Sequence, residues 1–555
     1  MYKKLIVLFF FIISVQFIKA QNEFITIWKP GNIQPPGSGV PYNSSATQAW
    51  LPLRGNDYTI SWEEVGYPSH QATLTNVTTA YQILLDFGTP LNPDPQNATY
   101  RVKVSNGAGN FYAIRFKDQT VVLSSYPIGD TQKLMSVEQW GTIAWTSMRE
   151  AFSGCSLMNV TATDLPNLSN VHDMYNMFFF CSQLIGNPTI NNWNISAVTN
   201  LDGTFMGCSL FNQPVGNWDT SNVETMAYLF FGASVFNQPL ANWNTSNVNL
   251  MIAMFHSAEE FNQPIGNWDL SENSNSEFMF ANALKFNQPI GNWNISNLIE
   301  TDHMFYNAAV FNQDIGSWDT SNITNMNGMF SDATAFNQNI RNWNVGNVIN
   351  MSQMFQNAKS FNQDIGIWDT GNVYGFVDMF NGASHFNQNL GQWNLGSLLY
   401  AQNMFLNSGL SCQNYNDTLH GWNLNPATPN NINLSSVSPL IYSSAQAVAA
   451  RNNLINNKGW TITGDTYNAE CAMLSTSDTA ATHPVEIYPN PATDFIYIKN
   501  MKSTGGYKIL DASGRIVVQD ALKDEKINIS HLMGGNYILQ IITKDMTKAF
   551  KFIKK

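Results

Sequence analysis

Residues 211–230, FNQPVGNWDTSNVETMAYLF, and residues 236–255, FNQPLANWNTSNVNLMIAMF, are two copies of the motif that decides the fold. The motif recurs at a step of 25 residues without slippage. Self-similarity at a fixed step of about 20 to 50 residues is the signature of a solenoid, in which each unit buries its apolar face only against its neighbours. The sequence therefore predicts one continuous repeat solenoid over residues 136–405. The tryptophans that mark the step are Trp193, Trp218, Trp243, Trp268, Trp293, Trp318, Trp343, Trp368 and Trp393.

The spacing of apolar residues changes within each copy. Val348, Met351, Met354 and Phe355 fit a short helical turn, and the preceding Asp-Thr-Ser-Asn type of run supplies oxygens that cap a helix. The run between phenylalanine and tryptophan is too short for a helix and contains proline in several copies, which favours a short strand. The predicted fold class is thus leucine-rich-repeat-like, with one short parallel strand and one short helical turn per 25-residue coil.

The repeat also resembles a known family. Units of the form MFxxAxxFNQxIGxWxTSNVxxM, led in by Trp145–Met148 and Phe152–Cys155, resemble the BspA-like surface proteins of bacteria, whose repeats are leucine-rich-like. The resemblance covers about residues 140–465. It implies a cell-surface protein with a role in adhesion.

The first 20 residues are typical of a secretory signal peptide. Lys3 and Lys4 precede an apolar run from Leu5 to Ile18, and Ala20 is a small residue suited to cleavage. No cysteine follows the cleavage point directly and no other long apolar run occurs, so neither a lipoprotein anchor nor a stable transmembrane segment is expected. The predicted localisation is extracellular or attached to the outer cell surface.

Residues 21–135 alternate in the manner of strands between Pro, Gly and Asn turns, which predicts a β-rich N-terminal domain. This domain either caps the solenoid or binds a ligand itself, and the sequence leaves both open. The start of the domain, Phe24–Trp28, resembles the start of BspA-like chains. The predicted strands include Tyr58–Trp62, Tyr81–Leu85, Tyr100–Val104, Phe111–Phe116 and Val121–Leu123.

The period breaks after Phe405, and we interpret residues 406–466 as the terminal cap that a solenoid needs over its last apolar face. Ser443 and Gln446 are spaced as a capping box for a helix that continues to Asn457, with Gly459 as its stop. Residues 467–484 are rich in Ser, Thr and Ala and are predicted to be a linker.

The landmarks of residues 485–555 are Tyr488–Asp494, Asp511–Gly514, Leu532, Gly535–Tyr537 and the basic end Lys551–Lys555. On these landmarks the segment resembles a type IX secretion C-terminal sorting domain, a separate module that is expected to be β-sandwich-like. The resemblance implies passage through the outer membrane with the type IX secretion machinery as partner, followed by removal of the tail and surface attachment. Whether cleavage occurs here stays open. Alternating apolar residues in this module predict strands at Phe495–Ile498, Tyr507–Leu510, Ile516–Val518 and Tyr537–Ile542.

Charge argues against a nucleic-acid partner. The chain has a net charge of −12, and residues 211–400 contain only Lys285, Arg341 and Lys359 as basic side chains against fifteen acidic ones. Such a surface would repel a phosphate backbone. No catalytic residue, cofactor site or metal site is predicted, because the eight histidines fall at unrelated places in the repeat and no catalytic motif surrounds them.

The tryptophan column is the one candidate ligand site. Trp218, Trp243, Trp268, Trp293, Trp318, Trp343 and Trp368 either stack on the rings of a polysaccharide or line the core, and the core interpretation is favoured. Asn and Gln at the equivalents of Asn212 and Gln213 are expected to form internal hydrogen-bond ladders. Alternation of Asp and Asn after the tryptophan argues for capping rather than a calcium ladder.

Three further features of the repeats carry expectations. Cys155, Cys181 and Cys208 are expected to form a buried column of free thiols. Asn273 and Ser276 replace apolar core residues, so their coil is either reorganised or flexible. The residues that vary between coils, as at Tyr228, His256 and Gln356, fall mainly on the predicted helical side.

Two function classes remain. The first is a non-catalytic, adhesin-like interaction protein of the cell surface, and the second is a glycan-binding accessory of surface polysaccharide use. An enzyme is the third and least supported class, and only the N-terminal β domain has room for one. Neither the ligand nor the oligomeric state follows from the sequence.

Overall fold

The computed structural model describes residues 22–32, 44–116, 129–469, 471, 486–499, 505–511, 515–522, 526–543 and 547–555. The predicted signal peptide, the strand at Val121–Leu123 and most of the predicted linker lie outside these residues. The chain divides into two compact units, Met1–Met473 and Leu474–Lys555. None of the described helices is long and apolar enough to cross a membrane.

The N-terminal part of the first unit is a twisted sheet. Its strands pair in the order β4-β3-β6-β1-β8-β9, β7 pairs with β3, and β2 pairs separately with β5. Strand β4 was not predicted, because its mostly exposed side chains hide the alternation that marks a half-buried strand. The strands are β1 (Phe24–Trp28), β2 (Gln48–Leu51), β3 (Leu53–Glu64), β4 (Tyr67–Thr79), β5 (Ile83–Asp86), β6 (Tyr100–Ser105), β7 (Asn110–Ile114), β8 (Leu134–Gln139) and β9 (Asn159–Val160).

The sheet and the repeats share one hydrophobic core. Strand β8 pairs in parallel with β9, which leads into the repeats. The Trp140 ring lies 6.0 Å from Phe24 of β1, 6.0 Å from Phe152 and 5.3 Å from Trp193, measured between ring centroids. The buried cluster continues without a break from Phe24 to Ile462. The N-terminal sheet therefore covers the first coil, as a cap does.

The repeats stack in register. Single-residue parallel bridges join Asn200 to Thr225, Thr225 to Leu250, and so on at 25-residue steps to Tyr400. In residues 251–257 and the equivalent segment of the other coils, every second backbone N–H donates to the next coil, as from Ala253 to the Glu277 carbonyl oxygen at 2.7 Å. The N–H groups between them donate three residues back, as from His256 to Ala253 at 3.1 Å.

The short helix and strand predicted for each coil do not form. An α-helix needs each N–H to bond four residues back, whereas here the donors alternate between the next coil and a turn. Positive φ angles at Ala253 (49°) and Ser257 (56°) also interrupt any right-handed helix. The segment between phenylalanine and tryptophan is irregular, because its contacts to the next coil are made largely by asparagine and glutamine side chains rather than by a backbone ladder.

Columns of aromatic rings fill the inside of the stack. Phe230, Phe255 and Phe280 stack nearly parallel, with centroids 5.7 and 5.6 Å apart. Trp218 and Trp243 stack at 6.4 Å, and the column continues at 6.3 to 6.5 Å to Trp343. Truncation of one buried Phe or Trp to alanine costs about 3–5 kcal/mol, so these columns dominate the stability of the stack.

Residues after Tyr400 cover the last coil. The elements are α1 (Cys412–Leu424), β10 (Ile441–Tyr442), α2 (Ala445–Asn456) and β11 (Thr466–Tyr467). Helix α2 was predicted, but its N-cap is Ser444, which accepts from the Ala447 N–H, and not Ser443. Helix α1 was missed, since its polar sequence has little helical periodicity. A disulfide joins Cys412 to Cys471.

The second unit consists of two small antiparallel sheets. Strands pair as β12-β13-β16 in one and β15-β14-β17-β18 in the other, and Ile496, Ile509 and Leu539 lie in the core. The predicted strands of this module are confirmed at β13, β14, β15 and β17. The strands are β12 (Glu486–Tyr488), β13 (Phe495–Lys499), β14 (Gly505–Leu510), β15 (Ile516–Leu522), β16 (Lys526–Asn528), β17 (Gly535–Thr543) and β18 (Thr547–Lys554).

Candidate functional site

The seven candidate tryptophans line the core. Trp218, Trp243, Trp268, Trp293, Trp318, Trp343 and Trp368 are each only 2–4% exposed. Each indole N–H donates to a backbone carbonyl oxygen 28 residues earlier, as from Trp268 to Leu240 at 3.1 Å. An indole whose faces pack on the rings of neighbouring coils has no face left for a sugar. Their burial therefore argues that these residues are part of the core and do not form a ligand site.

Asparagine and glutamine form the expected internal ladder. The side-chain oxygen of Asn262 accepts from the backbone N–H of Asn287 at 2.9 Å and from the side-chain nitrogen of Gln288 at 2.9 Å. Asn287 repeats both contacts to Asn312 and Gln313. These amides replace a backbone ladder where the chain turns between phenylalanine and tryptophan, which accounts for their near invariance.

The Asp and Asn residues that follow tryptophan are exposed and cap turns. The carboxylate of Asp219 accepts from the Ser221 N–H at 3.1 Å, and the side-chain oxygen of Asn244 accepts from the Ser246 N–H at 3.1 Å. Hydrogen bonds from the side chain and the backbone N–H of Ser221 lower the pKa of Asp219. The predicted capping function is right, but the capped element is a turn and not a helix. Among the described residues, no group of three His, Cys, Asp or Glu side chains is placed to hold a metal ion.

The coil with polar core residues keeps the backbone pattern of its neighbours. Asn273 and Ser276 are fully buried, and their side chains are 3.0 Å apart in a hydrogen bond. The Ser276 N–H still donates to the next coil, at 3.1 Å from the Glu300 oxygen. The coil is therefore not reorganised: the two polar side chains satisfy each other inside the core.

The three predicted free thiols are buried and unpaired with one another. Cys155, Cys181 and Cys208 are free and 0% exposed. The thiols of Cys181 and Cys208 donate to the carbonyl oxygens of Phe152 at 3.1 Å and Phe178 at 3.0 Å. Burial raises the pKa of each thiol, so none is a reactive thiolate.

Buried charges in the N-terminal sheet are structural. The Glu64 carboxylate lies 2.6 Å from His70 Nδ1 and accepts from the N–H groups of Leu91 and Asn92, both at 2.8 Å. Burial alone would raise the pKa of Glu64, but these hydrogen bonds lower it below its usual value. The Lys133 ammonium donates to three oxygens of residues 44–48 at 2.6 to 2.9 Å. Each charge holds a loop in place.

The surface that varies between coils lies where each coil turns after the tryptophan, and we call residues 222–232 and their equivalents in the other coils the variable face. One column on this face is apolar and exposed over its C-terminal half: Ile299 is 44% exposed, Ile349 47%, Tyr374 37% and Leu399 61%. We call these residues, with Thr324, the apolar column. The same position is polar in earlier coils, at Thr199, Glu224, Asn249 and Ser274.

The apolar column is held by the backbone. The N–H of Ile349 donates to the Thr324 carbonyl oxygen, and that of Tyr374 to the Ile349 carbonyl oxygen, both at 2.9 Å. This spacing fixes one side chain per coil in a straight row. Sequence reasoning located the variable positions but missed the apolar column. The column could have been found from the apolar residues that occupy, in the later coils, a position that is polar in the earlier coils.

Beside the polar half of the column lies an open groove of about 700 Å³. His172, Thr199, Asn222 and Glu224 form part of its lining, with Asn249 and Glu272 further along the stack. Its walls are mainly polar. The variable face thus presents two different surfaces, one polar and one apolar, along the same row of coils.

Family models match two parts of the chain. Residues 146–248, 208–317 and 302–422 match the family described as "Mycoplasma protein of unknown function, DUF285". Residues 486–555 match the secretion system C-terminal sorting domain. This is a repeat protein with a secretion tail. The tail links the chain to type IX secretion and indicates a secreted or surface-attached protein. No curated protein matches the chain.

Proposed function

We propose that the stacked repeats are a non-catalytic, adhesin-like solenoid of the BspA-like kind, which binds an extracellular protein or cell through its variable face. The secretion tail supports an extracellular location. The observation that carries the proposal is the apolar column, in which Ile349, Tyr374 and Leu399 are exposed in three successive coils. Adjacent exposed apolar side chains mark interaction surfaces. A buried core of uniform residues with a changing exterior is the arrangement by which repeat proteins bind partners.

Glycan binding is the second candidate, and the polar groove beside Asn222 favours it. Amide and carboxylate side chains in an open groove hydrogen-bond to hydroxyl groups. The tryptophan column gives this candidate no support, because its rings are buried. The two candidates predict binding at opposite ends of the variable face.

A binding screen with two matched variants tests the proposal. The purified chain is applied to matrix proteins, intact bacterial and host cells, and a glycan panel. Ile349→Asp alters the apolar column, and Ile367→Asp alters an isoleucine that is equally exposed (51%) but lies between the phenylalanine and the tryptophan of its coil. Circular dichroism establishes that both variants fold.

We expect binding to a protein or cell that Ile349→Asp abolishes and Ile367→Asp leaves intact. Binding to a glycan that Glu224→Gln or Asn249→Ala weakens would support the second candidate instead. No binding to any member of the panel, or equal losses in both isoleucine variants, would contradict the adhesin-like proposal.

A further inference from the structure

Six aromatic side chains form a connected path across the variable face. Ring contacts run from Tyr228 to Phe231 (6.2 Å), to His256 (4.4 Å), to Phe278 (6.2 Å), to His303 (4.9 Å) and to Tyr306 (5.5 Å) between centroids. Tyr228 is 39% exposed, and the other five side chains are half-buried. We call these six residues the aromatic stripe. It borders an open groove of about 360 Å³ beside His303 and Tyr306.

Carboxylates accompany the stripe at one fixed position of the coils. Asp202, Glu277 and Asp302 occupy this position, as the backbone bonds from Asn176 to the Asp202 oxygen and from Phe278 to the Asp302 oxygen show (both 2.8 Å). The other coils between residues 175 and 302 have Tyr175, Ala227 and Ile252 there. The position directly precedes Tyr228, Phe278 and His303 of the stripe in their coils. Glu277 and Asp302 therefore precede Phe278 and His303, and the Asp302 carboxylate lies 2.9 Å from His303 Nδ1. Ala227 precedes Tyr228, and its N–H donates to the Asp202 carboxylate of the previous coil at 2.7 Å.

The negative charges of these carboxylates shift the pKa values of side chains at the stripe. Burial raises the pKa of the Tyr228 phenol, and the negative charges of Glu277 and Asp202 raise it further. Burial likewise raises the pKa of Glu277, with added repulsion from Asp302 and Glu300. Crowded carboxylates of this kind gain from any cation that approaches them.

The chain itself shows what a guanidinium does at this position. Arg149 lies one coil before Tyr175, and its guanidinium carbon is 4.2 Å from the centre of the Tyr175 ring. The same guanidinium donates to Asp173 at 2.9 Å. Arg149 thus stacks on an aromatic face and pairs with a carboxylate together, which is a combination that arginine achieves better than lysine.

Further along the stack the aromatic ring and the carboxylate recur without an arginine from the chain. Residues 211–400 contain three basic side chains. Of these, Lys285 pairs with Glu260 and Arg341 pairs with Asp364, both away from the stripe. The third, Lys359, is exposed and lies between Phe355 and Phe361 in the sequence, outside the aromatic stripe. The stripe is therefore an acidic, aromatic surface whose complement is cationic and planar.

We propose that the aromatic stripe binds an arginine-bearing polypeptide segment of a partner, with guanidinium groups stacked on Tyr228 and Phe278 and paired with Asp202 and Glu277. This inference rests on the proposed function and specifies its partner chemistry. The stripe spans three coil steps, roughly 15 Å at about 4.8 Å per step, which an extended peptide of about five residues covers.

The test uses the purified full chain and three synthetic peptides of about nine residues, long enough to exceed the stripe. The first alternates serine and arginine, the second replaces arginine by lysine, and the third replaces it by citrulline, the neutral isostere. Binding is measured by fluorescence anisotropy at low and high salt. We expect the order arginine over lysine over citrulline, with weakening at high salt.

Two pairs of variants locate the site. Glu277→Gln removes a charge beside the stripe, and Glu272→Gln removes one from the same coil on the polar groove. Tyr228→Leu removes an exposed ring of the stripe, and Tyr374→Leu removes an equally exposed ring (37%) of the apolar column. We expect each stripe variant to weaken arginine-peptide binding by about threefold to fivefold, the effect of one cation–π or ion-pair contact at an exposed site. The matched controls should bind as the parent does.

The inference is overturned if the arginine peptide does not bind, if citrulline binds equally well, or if stripe and control variants behave alike. These outcomes are separable from failure of the proposed function. Cell or protein binding that depends on Ile349 but not on Tyr228 would leave the function standing and remove this inference. Arginine-peptide binding at the stripe, together with no binding to any member of the screen, would support this inference and contradict the proposed function.

Discussion

Asn273 and Ser276 show how a polar pair is tolerated in a stacked core. The equivalent positions in the preceding coil are Val248 and Met251, both fully buried. A buried hydrogen bond contributes little net stability, and replacement of both partners by apolar groups of suitable shape is neutral or stabilising. The pair therefore contributes less apolar burial to its coil than Val248 and Met251 contribute to theirs, although its backbone bonds are intact.

We predict that the double substitution Asn273→Val and Ser276→Met raises the free energy of unfolding by about 1–3 kcal/mol, from added apolar burial. The reverse exchange in the preceding coil, Val248→Asn with Met251→Ser, should lower it by at least a similar amount. Thermal and urea unfolding measure both. A loss of stability in the first variant would contradict the prediction, because the polar pair would then stabilise the stack more than the apolar pair does.

Asp202 gives the repeats a defined pH dependence. Burial raises the pKa of this carboxyl, against hydrogen bonds from Thr225 Oγ1 and the Ala227 N–H that lower it. A carboxyl with a raised pKa in the folded state destabilises that state once it ionises, so its cost is present at neutral pH. The cost fades as the pH falls through the folded pKa and is absent below the unfolded pKa.

We therefore predict that Asp202→Asn, whose side-chain oxygen still accepts both hydrogen bonds, raises the midpoint of thermal unfolding at pH 7. The gain should vanish near pH 3, roughly, where the Asp202 carboxyl is protonated in both the folded and the unfolded state. Asp219→Asn serves as the control, because the pKa of Asp219 is lowered and its charge favours the folded state. A gain from Asp202→Asn that is independent of pH would contradict this account.

At the scale of the element, the disulfide between Cys412 and Cys471 is the most distinctive tie of the C-terminal cap. It joins the first residue of α1 to a residue beyond β11, across 59 positions of sequence. A crosslink over a loop of this length stabilises the folded state by about 4 kcal/mol in the chain-entropy account. The disulfide thus closes the cap on itself, whereas Trp422 and Trp460 join the cap to the stack by continuing its aromatic core from Phe405.

We predict that Cys412→Ser with Cys471→Ser lowers the free energy of unfolding of this unit by about 2–4 kcal/mol. Reductant should destabilise the parent to the same extent and leave the variant unchanged. Chemical denaturation with and without reductant measures this. The buried thiols at Cys155, Cys181 and Cys208 provide the internal control, since they should stay unmodified by alkylating agents in the folded state of both proteins.

Some elements followed from the sequence and others could not. The 25-residue step, the buried columns and most strands of the sorting module were predictable, because each depends on a local pattern that repeats. The helix and strand assigned to each coil were wrong, since the pattern fixes which side chains are buried but not where each N–H finds its acceptor. The aromatic stripe and the apolar column were missed because they arise from residues in different coils that meet only when the coils stack.

At the scale of the whole molecule, the chain has two units with separate cores. The repeat unit has one core that runs from the N-terminal sheet to the C-terminal cap, and the sorting module has its own. The first presents a long, varied exterior on a uniform interior. The second matches the secretion sorting domain, so the exterior of the repeats can vary between coils without changing the sorting module.

The measurement that tests the central claim most directly is site-specific photo-crosslinking on intact cells. The purified chain carries a photoreactive phenylalanine analogue in place of Ile349 in one sample and of Ile367 in the other, two positions of similar exposure. The account predicts a crosslinked partner from position 349 and none from position 367. Crosslinking from position 367 alone, or from neither position on any cell that the chain binds, would contradict the claim that the variable face is the interaction surface.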